Sequence, residues 1–224
     1  MKLSCILFDL DGTLVDTAPD LIASLNHALN HHGFETVEFS KVKPHVSFGA
    51  SAMINAALGG LGGGSLNETT HFAILETMLT QYENNIALHS AFFEGILEIL
   101  AFIEARNLAW GIVTNKRERF TRPLVKALAL EHRAACIISG DTTPNPKPHP
   151  APLFEACKRA QVLPQHCVYI GDAAHDISAG KNAKMHTLAA TYGYLQPSDT
   201  PENWGANALI HSPKDLLAWL KNVL

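Results

Sequence analysis

Short, continuous apolar runs recur along this chain, and all but the first lie after residue 95. The first run is Cys5 to Phe8, and four later ones share its character: Trp110–Val113, Cys136–Ile138, Cys167–Ile170 and Thr187–Ala190. Runs that are apolar at every position are typical of strands buried on both faces of a parallel sheet. We therefore predict a strand at each run, with Ala208–Ile210 as a further edge strand.

The segments between these runs place their apolar residues at helical spacing. This spacing predicts helices at Ile96–Ile103, through Leu124 to Leu128, at Leu153–Ala160, at Ile177–Ala183 and at Pro213–Leu220. Strands that alternate with helices indicate an α/β fold with a doubly wound parallel sheet. In such sheets the ligand crevice lies beyond the carboxyl ends of the strands.

The segment from Asp16 to about Ile86 is different, because it shows helical spacing and no strand pattern. Thr17, followed three residues later by Asp20, resembles a helix start with a capping box. Helical patterns follow at 21–29, 50–58 and 69–82. We predict a helical-bundle cap domain at residues 16–86, inserted into a core formed by 1–15 and 87–224. The glycine-rich run 59–65 lacks the Gly-Lys-Ser/Thr of a phosphate-binding loop, and we predict a link between cap helices there.

Composition narrows the possible partners. The formal charge is −4 and no run of lysine or arginine stands out, which argues against nucleic-acid binding. No apolar stretch is long enough to span a bilayer, so we expect no membrane association. The four cysteines form no CxxC pair and suit small core residues in a reducing compartment. From these features we expect a cytoplasmic protein.

Candidate chemistry begins where the first strand ends, at Asp9-Leu10-Asp11-Gly12-Thr13-Leu14. Side chains two residues apart on an extended chain project to the same side, and Gly12 permits a tight turn after them. Two carboxylates held together repel each other and lose solvation unless a cation is bound. Carboxylate oxygens suit a hard divalent ion, so the pattern predicts a Mg²⁺ site.

Three later segments also place polar groups at strand ends or in a stiff loop. Thr114 and Asn115 follow the second strand, although a threonine after a strand is common in any fold. Lys147 lies between prolines that restrict the backbone, which favours either a fixed ammonium or an ordinary surface turn. Asp172 ends a further strand, and Asp176 follows four residues later.

Together these motifs resemble those of the haloacid dehalogenase superfamily, which consists mostly of phosphoryl-transfer enzymes. The resemblance implies Asp9 as nucleophile and Asp11 as general acid and base. It implies Mg²⁺ held by Asp9, the Asp11 backbone carbonyl and Asp172, with Asp176 in support. It also implies phosphate binding by three residues: Thr114, Asn115 and Lys147. Asp11 favours phosphatase over dehalogenase chemistry, because a halide leaving group needs no proton.

The helical insertion is similar to that of the phosphoglycolate phosphatase-like branch. Segments such as Ala156-Cys157-Lys158 and Tyr192-Gly193-Tyr194 more specifically resemble bacterial phosphatases of N-acetylmuramic acid 6-phosphate. Lys184 departs from the branch, which commonly has glycine there. The resemblance implies a small phosphorylated metabolite that also carries a carboxylate, such as that sugar phosphate or 2-phosphoglycolate.

Several residues are candidates for contact with such a substrate. The second anion could meet Lys116, Arg117, Lys43 or His45, while Ser47, Phe48 and Gly49 could face the crevice from the cap. A sugar phosphomutase of the same fold and a non-catalytic phosphate-binding module remain alternatives. We expect a monomer or a homodimer.

Overall fold

The computed structural model describes residues 2–59 and 67–224, and its centre is a six-stranded parallel sheet. The strands are β1 (Cys5–Phe8), β4 (Ala109–Val113), β5 (Cys136–Ile138), β6 (Cys167–Gly171), β7 (His186–Ala190) and β8 (Ala208–Ile210). The order across the sheet is β5-β4-β1-β6-β7-β8. Since β1 lies between strands from both halves of the chain, the doubly wound sheet is confirmed. Most of the glycine-rich run lies outside the described residues.

Both faces of this sheet are buried, which explains the continuous apolar runs. Alternate residues of β1 point to opposite faces: Ile6 and Phe8 enter one apolar cluster, and Cys5 and Leu7 enter another. The first cluster includes α5 (Ile96–Glu104), α6 (Glu118–Ala127) and α9 (Pro213–Val223), and the second includes α7 (Ala151–Ala160) and α8 (Ala174–Asn182). All four cysteines are buried, and none of them forms a disulfide.

The inserted segment forms a helical cap with its own apolar cluster. It contains α1 (Ala18–His31), α2 (Phe39–Val42), a 3₁₀ turn (Lys43–Phe48), α3 (Ala50–Leu58) and α4 (Glu68–Asn84). The sequence pattern predicted α1, α3 and α4, but it did not predict α2 or the 3₁₀ turn. None of the helices described is long and apolar enough to cross a membrane.

The cap joins the core through a short antiparallel ribbon of β2 (Val15–Asp16) and β3 (Ala91–Phe92). Two residues on each strand are too few to give a sequence pattern, so this element was not predicted. We propose that the ribbon marks the boundary between the two domains. Of the two predicted domain limits, residue 16 lies in β2 and residue 86 lies close to β3.

The capping box predicted at the start of α1 is wrong. Thr17 occupies the N-cap position but makes no side-chain cap bond there, and its hydroxyl donates to Asp11 instead. The Tyr194 hydroxyl accepts from the backbone N–H groups of Thr17 and Ala18. A distant residue therefore satisfies this helix start, which local sequence could not indicate.

Candidate active site

The parallel register brings the predicted motifs to one edge of the sheet. Phe8 of β1 lies opposite both Ile112 of β4 and Ile170 of β6. Asp9 follows Phe8 directly, and its N–H donates to the Ile170 carbonyl at 2.8 Å. The strand ends that carry Thr114 and Asp172 therefore lie beside Asp9.

Three acids form a buried cluster at this edge. Asp9, Asp172 and Asp176 each offer a carboxylate oxygen within 4.8 Å of the others, and all three side chains are buried. Burial, together with the neighbouring carboxylates, raises the pKa of Asp9 well above its ordinary value and that of Asp172 to about 7. Burial alone would also raise the pKa of Asp176, but Lys147 reverses the shift and leaves it lowered.

Lys147 supplies the positive charge within this cluster. Its Nζ donates to Asp176 Oδ1 at 2.7 Å, to the Tyr169 hydroxyl at 2.8 Å and to the Val113 carbonyl at 3.0 Å. It also lies 2.9 Å from Asp9 Oδ1. That contact lacks hydrogen-bond geometry, so Asp9 Oδ1 is a buried oxygen without a hydrogen-bond partner in the described structure.

The residues present fit a bound divalent cation. Of these three buried carboxylates, Asp9 and Asp176 share the Lys147 ammonium. Asp9 Oδ1 has no hydrogen bond within the described part of the chain. Hard divalent ions prefer oxygen ligands of this kind. A cation here would offset the burial and the mutual repulsion that raise the pKa of Asp9 and Asp172. The geometric cluster includes Asp176, which the sequence interpretation placed in a supporting role.

Asp172 is held by groups from three parts of the chain. The Thr13 hydroxyl donates to Oδ1 at 3.0 Å, and the Tyr194 N–H donates to Oδ2 at 2.9 Å. The Ser47 hydroxyl, which belongs to the cap, also donates to Oδ2 at 2.9 Å. Gly12 has a φ of +83°, and a Cβ there would lie 2.3 Å from Asp172 Oδ2. The predicted glycine turn is confirmed, and close packing gives a second reason for it.

Asp11 lies apart from the three-acid cluster and has its own partners. Lys116 Nζ donates to Asp11 Oδ1 at 2.8 Å, and both side chains are largely buried. Burial by itself lowers the pKa of Lys116, but Asp11 more than offsets this effect and raises it overall. Lys116 was predicted as a substrate contact, and here its ammonium is already paired.

Thr114 and Asn115 contact other parts of the crevice. Thr114 is buried, and its hydroxyl accepts from the Lys116 N–H at 3.1 Å. The Asn115 side chain exchanges two 3.0 Å hydrogen bonds with the backbone of Lys147. These bonds hold the Lys147 loop against the end of β4. Direct contact of the Asn115 side chain with phosphate stays a prediction.

A cavity of about 570 Å³ opens between the core and the cap. The core contributes Asp9, Asp11, Thr114 and Lys116, whereas the cap contributes an apolar wall with one acid: Phe48, Phe72, Leu75, Glu76 and Leu79. The predicted cap residues Ser47 and Gly49 line this space, as do Arg117 and Arg119. Lys43 and His45 do not line it, and instead lie beside Tyr194 and Gln196.

The sequence interpretation missed several residues at this site. Thr13 is part of the first motif but received no role, and Tyr194 entered only through the family resemblance of its segment. Tyr169 of β6 contacts Lys147, and Tyr82 of α4 lies against Lys116. Tyr82 falls on the helical face of Ile74 and Met78, a pattern typical of core packing. No local signal separates it from those core residues.

Acids at the carboxyl ends of parallel strands, a buried lysine and a helical cap define a capped α/β phosphohydrolase. The chain belongs to the haloacid dehalogenase-like hydrolase family, whose model matches residues 6–190. This match confirms the family that the motifs resemble.

Individual relatives agree with this assignment. The chain is 41% identical to an N-acetylmuramic acid 6-phosphate phosphatase of Pseudomonas putida over 217 residues, which cover 96% of this chain and 95% of the relative. It is 36% identical to a phosphoglycolate phosphatase of Xanthomonas campestris pv. campestris over 211 residues, covering 94% and 93% of the two chains.

A solved structure has the same fold along nearly its whole length. The crystal structure of a predicted phosphoglycolate phosphatase from Haemophilus somnus superposes with a TM-score of 0.87 at 25% identity, covering 98% of this chain and 99% of that one. The protein is thus a phosphoric monoester hydrolase of this family, acting on a phosphorylated small molecule.

Proposed function

We propose that this protein is a Mg²⁺-dependent phosphatase that hydrolyses a carboxylate-bearing sugar phosphate through an aspartyl-phosphate on Asp9. The observation that carries the proposal is the juxtaposition of Asp9 with Lys147, Asp172 and Asp176, beneath a cavity that also contains Asp11. An acid nucleophile, a buried cation and a separate acid–base group are the parts that two-step phosphate hydrolysis requires.

In the first step, a carboxylate oxygen of Asp9 attacks phosphorus and forms a new P–O bond. The ester P–O bond breaks, and its electron pair stays on the departing oxygen, which takes a proton from Asp11. Lys147 and the Thr114 hydroxyl stabilise negative charge on the phosphoryl oxygens. Asn115 keeps Lys147 in position through the hydrogen bonds to its backbone.

In the second step, Asp11 removes a proton from water while the water oxygen attacks phosphorus. The bond between phosphorus and Asp9 breaks, which releases inorganic phosphate and restores the Asp9 carboxylate. Splitting the reaction in this way replaces one difficult displacement by two easier ones.

Asp9, Asp172 and the backbone carbonyl of Asp11 would hold the Mg²⁺, and Asp176 would support it. When bound, the ion neutralises charge on the phosphoryl group and on the surrounding carboxylates. Asp172 is prepared for this task, because Thr13, Ser47 and Tyr194 fix the direction of both its oxygens. Its hydrogen bond from Ser47 also connects the ion site to the cap.

The cavity favours a sugar phosphate over a two-carbon substrate. Its volume of about 570 Å³ lies within the range of pockets for ligands of drug size, and 2-phosphoglycolate would leave most of it empty. The relative from Pseudomonas putida is named for N-acetylmuramic acid 6-phosphate, a substrate that joins phosphate, sugar and carboxylate. Arg117 and Arg119 line the outer cavity and could meet that carboxylate.

The test is phosphate release from N-acetylmuramic acid 6-phosphate, 2-phosphoglycolate and p-nitrophenyl phosphate, with and without Mg²⁺. We expect Mg²⁺-dependent release, with a kcat/KM for the sugar phosphate at least about tenfold above that for 2-phosphoglycolate. Asp9→Asn should abolish turnover. Asp141→Asn, an exposed residue outside the cavity, is the matched control and should retain it.

Different outcomes would overturn different parts of the proposal. Turnover by Asp9→Asn would exclude the nucleophile assignment, and comparable low rates on every compound would exclude the substrate assignment. Transfer of phosphate to a sugar acceptor in place of water would support a phosphomutase instead.

A further inference from the structure

The two acids of the Asp9-Leu10-Asp11 motif lie beside different lysines. Lys147 lies 2.9 Å from Asp9, and Lys116 lies 2.8 Å from Asp11. The motifs gave a role to the first lysine in charge stabilisation, but they gave none to the second beyond a possible substrate contact. The pairing of Lys116 with Asp11 therefore needs a physical reason of its own.

The backbone around Lys116 is fixed by hydrogen bonds to neighbouring segments. Its N–H donates to the Thr114 hydroxyl at 3.1 Å. Its carbonyl accepts from the Gly140 N–H at 2.8 Å and from the Thr121 hydroxyl at 3.0 Å. These bonds fix the position of the backbone from which the Lys116 side chain extends toward Asp11.

The cap covers this ion pair with an aromatic ring. Lys116 Nζ lies 4.8 Å from the centre of the Tyr82 ring, a distance that permits a cation–π interaction. Tyr82 is only 1% exposed and packs against Phe120 of α6. Because Tyr82 belongs to α4, the pair is shielded from water only when the cap lies against the core.

The two oxygens of Asp11 are used differently. Among the described residues, both hydrogen bonds to this carboxylate end on Oδ1, from Lys116 Nζ and from the Thr17 hydroxyl. Oδ2 is then the oxygen that can exchange a proton in the cavity.

We infer that Lys116 is a positioning residue that sets Asp11 as the base for the water step. In that step Asp11 Oδ2 accepts a proton from water, the water oxygen bonds to phosphorus, and the bond from phosphorus to Asp9 breaks. Lys116 acts through Asp11. By holding the Asp11 carboxylate in place, it favours transfer of the phosphoryl group from Asp9 to water. This inference rests on the proposed function.

The test uses Lys116→Met with p-nitrophenyl phosphate, whose leaving group departs without a proton. Slower hydrolysis of the phosphorylated enzyme should lower kcat and KM together by about tenfold or more. The ratio kcat/KM reports only the first step, and should stay within about threefold of wild type. Rapid mixing should show a burst approaching one p-nitrophenol per active site, followed by a slow steady phase.

Two further variants test the role of charge and the possibility of a folding defect. Lys116→Arg retains a cation and should recover part of the lost kcat, whereas Lys116→Gln should behave like Lys116→Met. Thermal melting checks that each variant is folded. Lys126→Met replaces an exposed lysine of α6 outside the cavity and should match the wild type.

The outcomes separate this inference from the proposed function. If Asp11→Asn accumulates phosphorylated enzyme but Lys116→Met does not, the inference about Lys116 is wrong and the function stands. If neither accumulates it, the base role of Asp11 fails. A loss of kcat/KM restricted to carboxylate-bearing substrates would make Lys116 a substrate contact instead.

Discussion

At the scale of single residues, the site concentrates negative charge where solvent is absent. Asp9, Asp172 and Asp176 are at most 5% exposed, and Lys147 forms ion pairs with two of them, Asp9 and Asp176. Such an arrangement costs stability unless a further cation is present. The same charges that destabilise the metal-free chain would make it bind a divalent ion tightly.

Asp172→Asn should separate metal binding from stability. Mg²⁺ at about a hundredfold excess over its Kd should raise the Tm of the wild type by about 5 °C or more, and the variant should show a much smaller shift. Without metal the variant should be at least as stable as the wild type, because one buried carboxylate is removed. Equal Mg²⁺ shifts in both proteins, measured by calorimetry, would exclude Asp172 as a ligand.

Another residue-scale feature is the turn after α8, where Lys184 has a φ of +59°. This is the left-handed region, which glycine adopts without the steric cost that other residues meet. The proteins that the sequence resembles commonly have glycine at this position, and this chain departs from them. The backbone conformation explains that preference physically, and the turn lies away from the acids.

At the scale of secondary-structure elements, the start of α1 is tied to the chain segment that returns from the cap. Asp20 accepts hydrogen bonds from the N–H groups of His89 and Ser90 and from their side chains, at distances from 2.6 to 3.1 Å. Burial alone would raise the pKa of Asp20, but these hydrogen bonds outweigh it and leave the pKa lowered.

Asp20→Asn is expected to destabilise the protein by about 2 kcal/mol at neutral pH, since it replaces a hydrogen-bonded carboxylate by an amide that also donates. Because the pKa of Asp20 is lowered by folding, its carboxylate stabilises the fold at pH values above the ordinary pKa of about 3.9. This contribution is lost as the pH falls through the folded-state pKa. In denaturant unfolding, the difference in the free energy of unfolding between wild type and variant should therefore decrease from about pH 5 downward. A gap independent of pH would show that the charge on Asp20 does not stabilise this helix start.

At the scale of the whole molecule, both the cap and the core line the cavity, and the cap supplies the larger share of the lining residues. Asp9, Asp11 and Lys116 follow core strands, whereas the apolar wall comes largely from α4 and the 3₁₀ turn of the cap. We expect the cap wall to contribute to substrate specificity, whereas the acid–base groups come from the core. Substitutions in the cap wall should change specificity without changing the chemical step.

Phe72→Ala tests this division of roles. Phe72 is 62% exposed and lines the cavity, so its removal should leave Tm unchanged. It should raise KM for the sugar phosphate about fivefold or more through lost apolar contact, while 2-phosphoglycolate is little affected. Phe154→Ala, another exposed phenylalanine outside the cavity, is the control. An unchanged KM for the sugar phosphate would place Phe72 outside substrate recognition, and an equal KM increase for both substrates would show that Phe72 does not distinguish them.

The sequence by itself determined the sheet, its main helices and the order of the motifs. Strands buried on both faces must be apolar throughout, and paired acids at a strand end are costly without a bound cation, so both features are visible in short segments. Asp9, Thr114, Lys147 and Asp172 could be selected because each lies at a strand end or in a stiff loop.

Only the tertiary structure decided which of these groups touch. The Lys116–Asp11 pair, the Ser47 bond to Asp172 and the Tyr194 cap on α1 join residues that are 105 or more positions apart. The two-residue ribbon between the domains and the contact of Tyr82 with Lys116 also depend on packing. Contacts of this kind form only when distant parts of the chain pack together, so the spacing of residues along the sequence does not predict them.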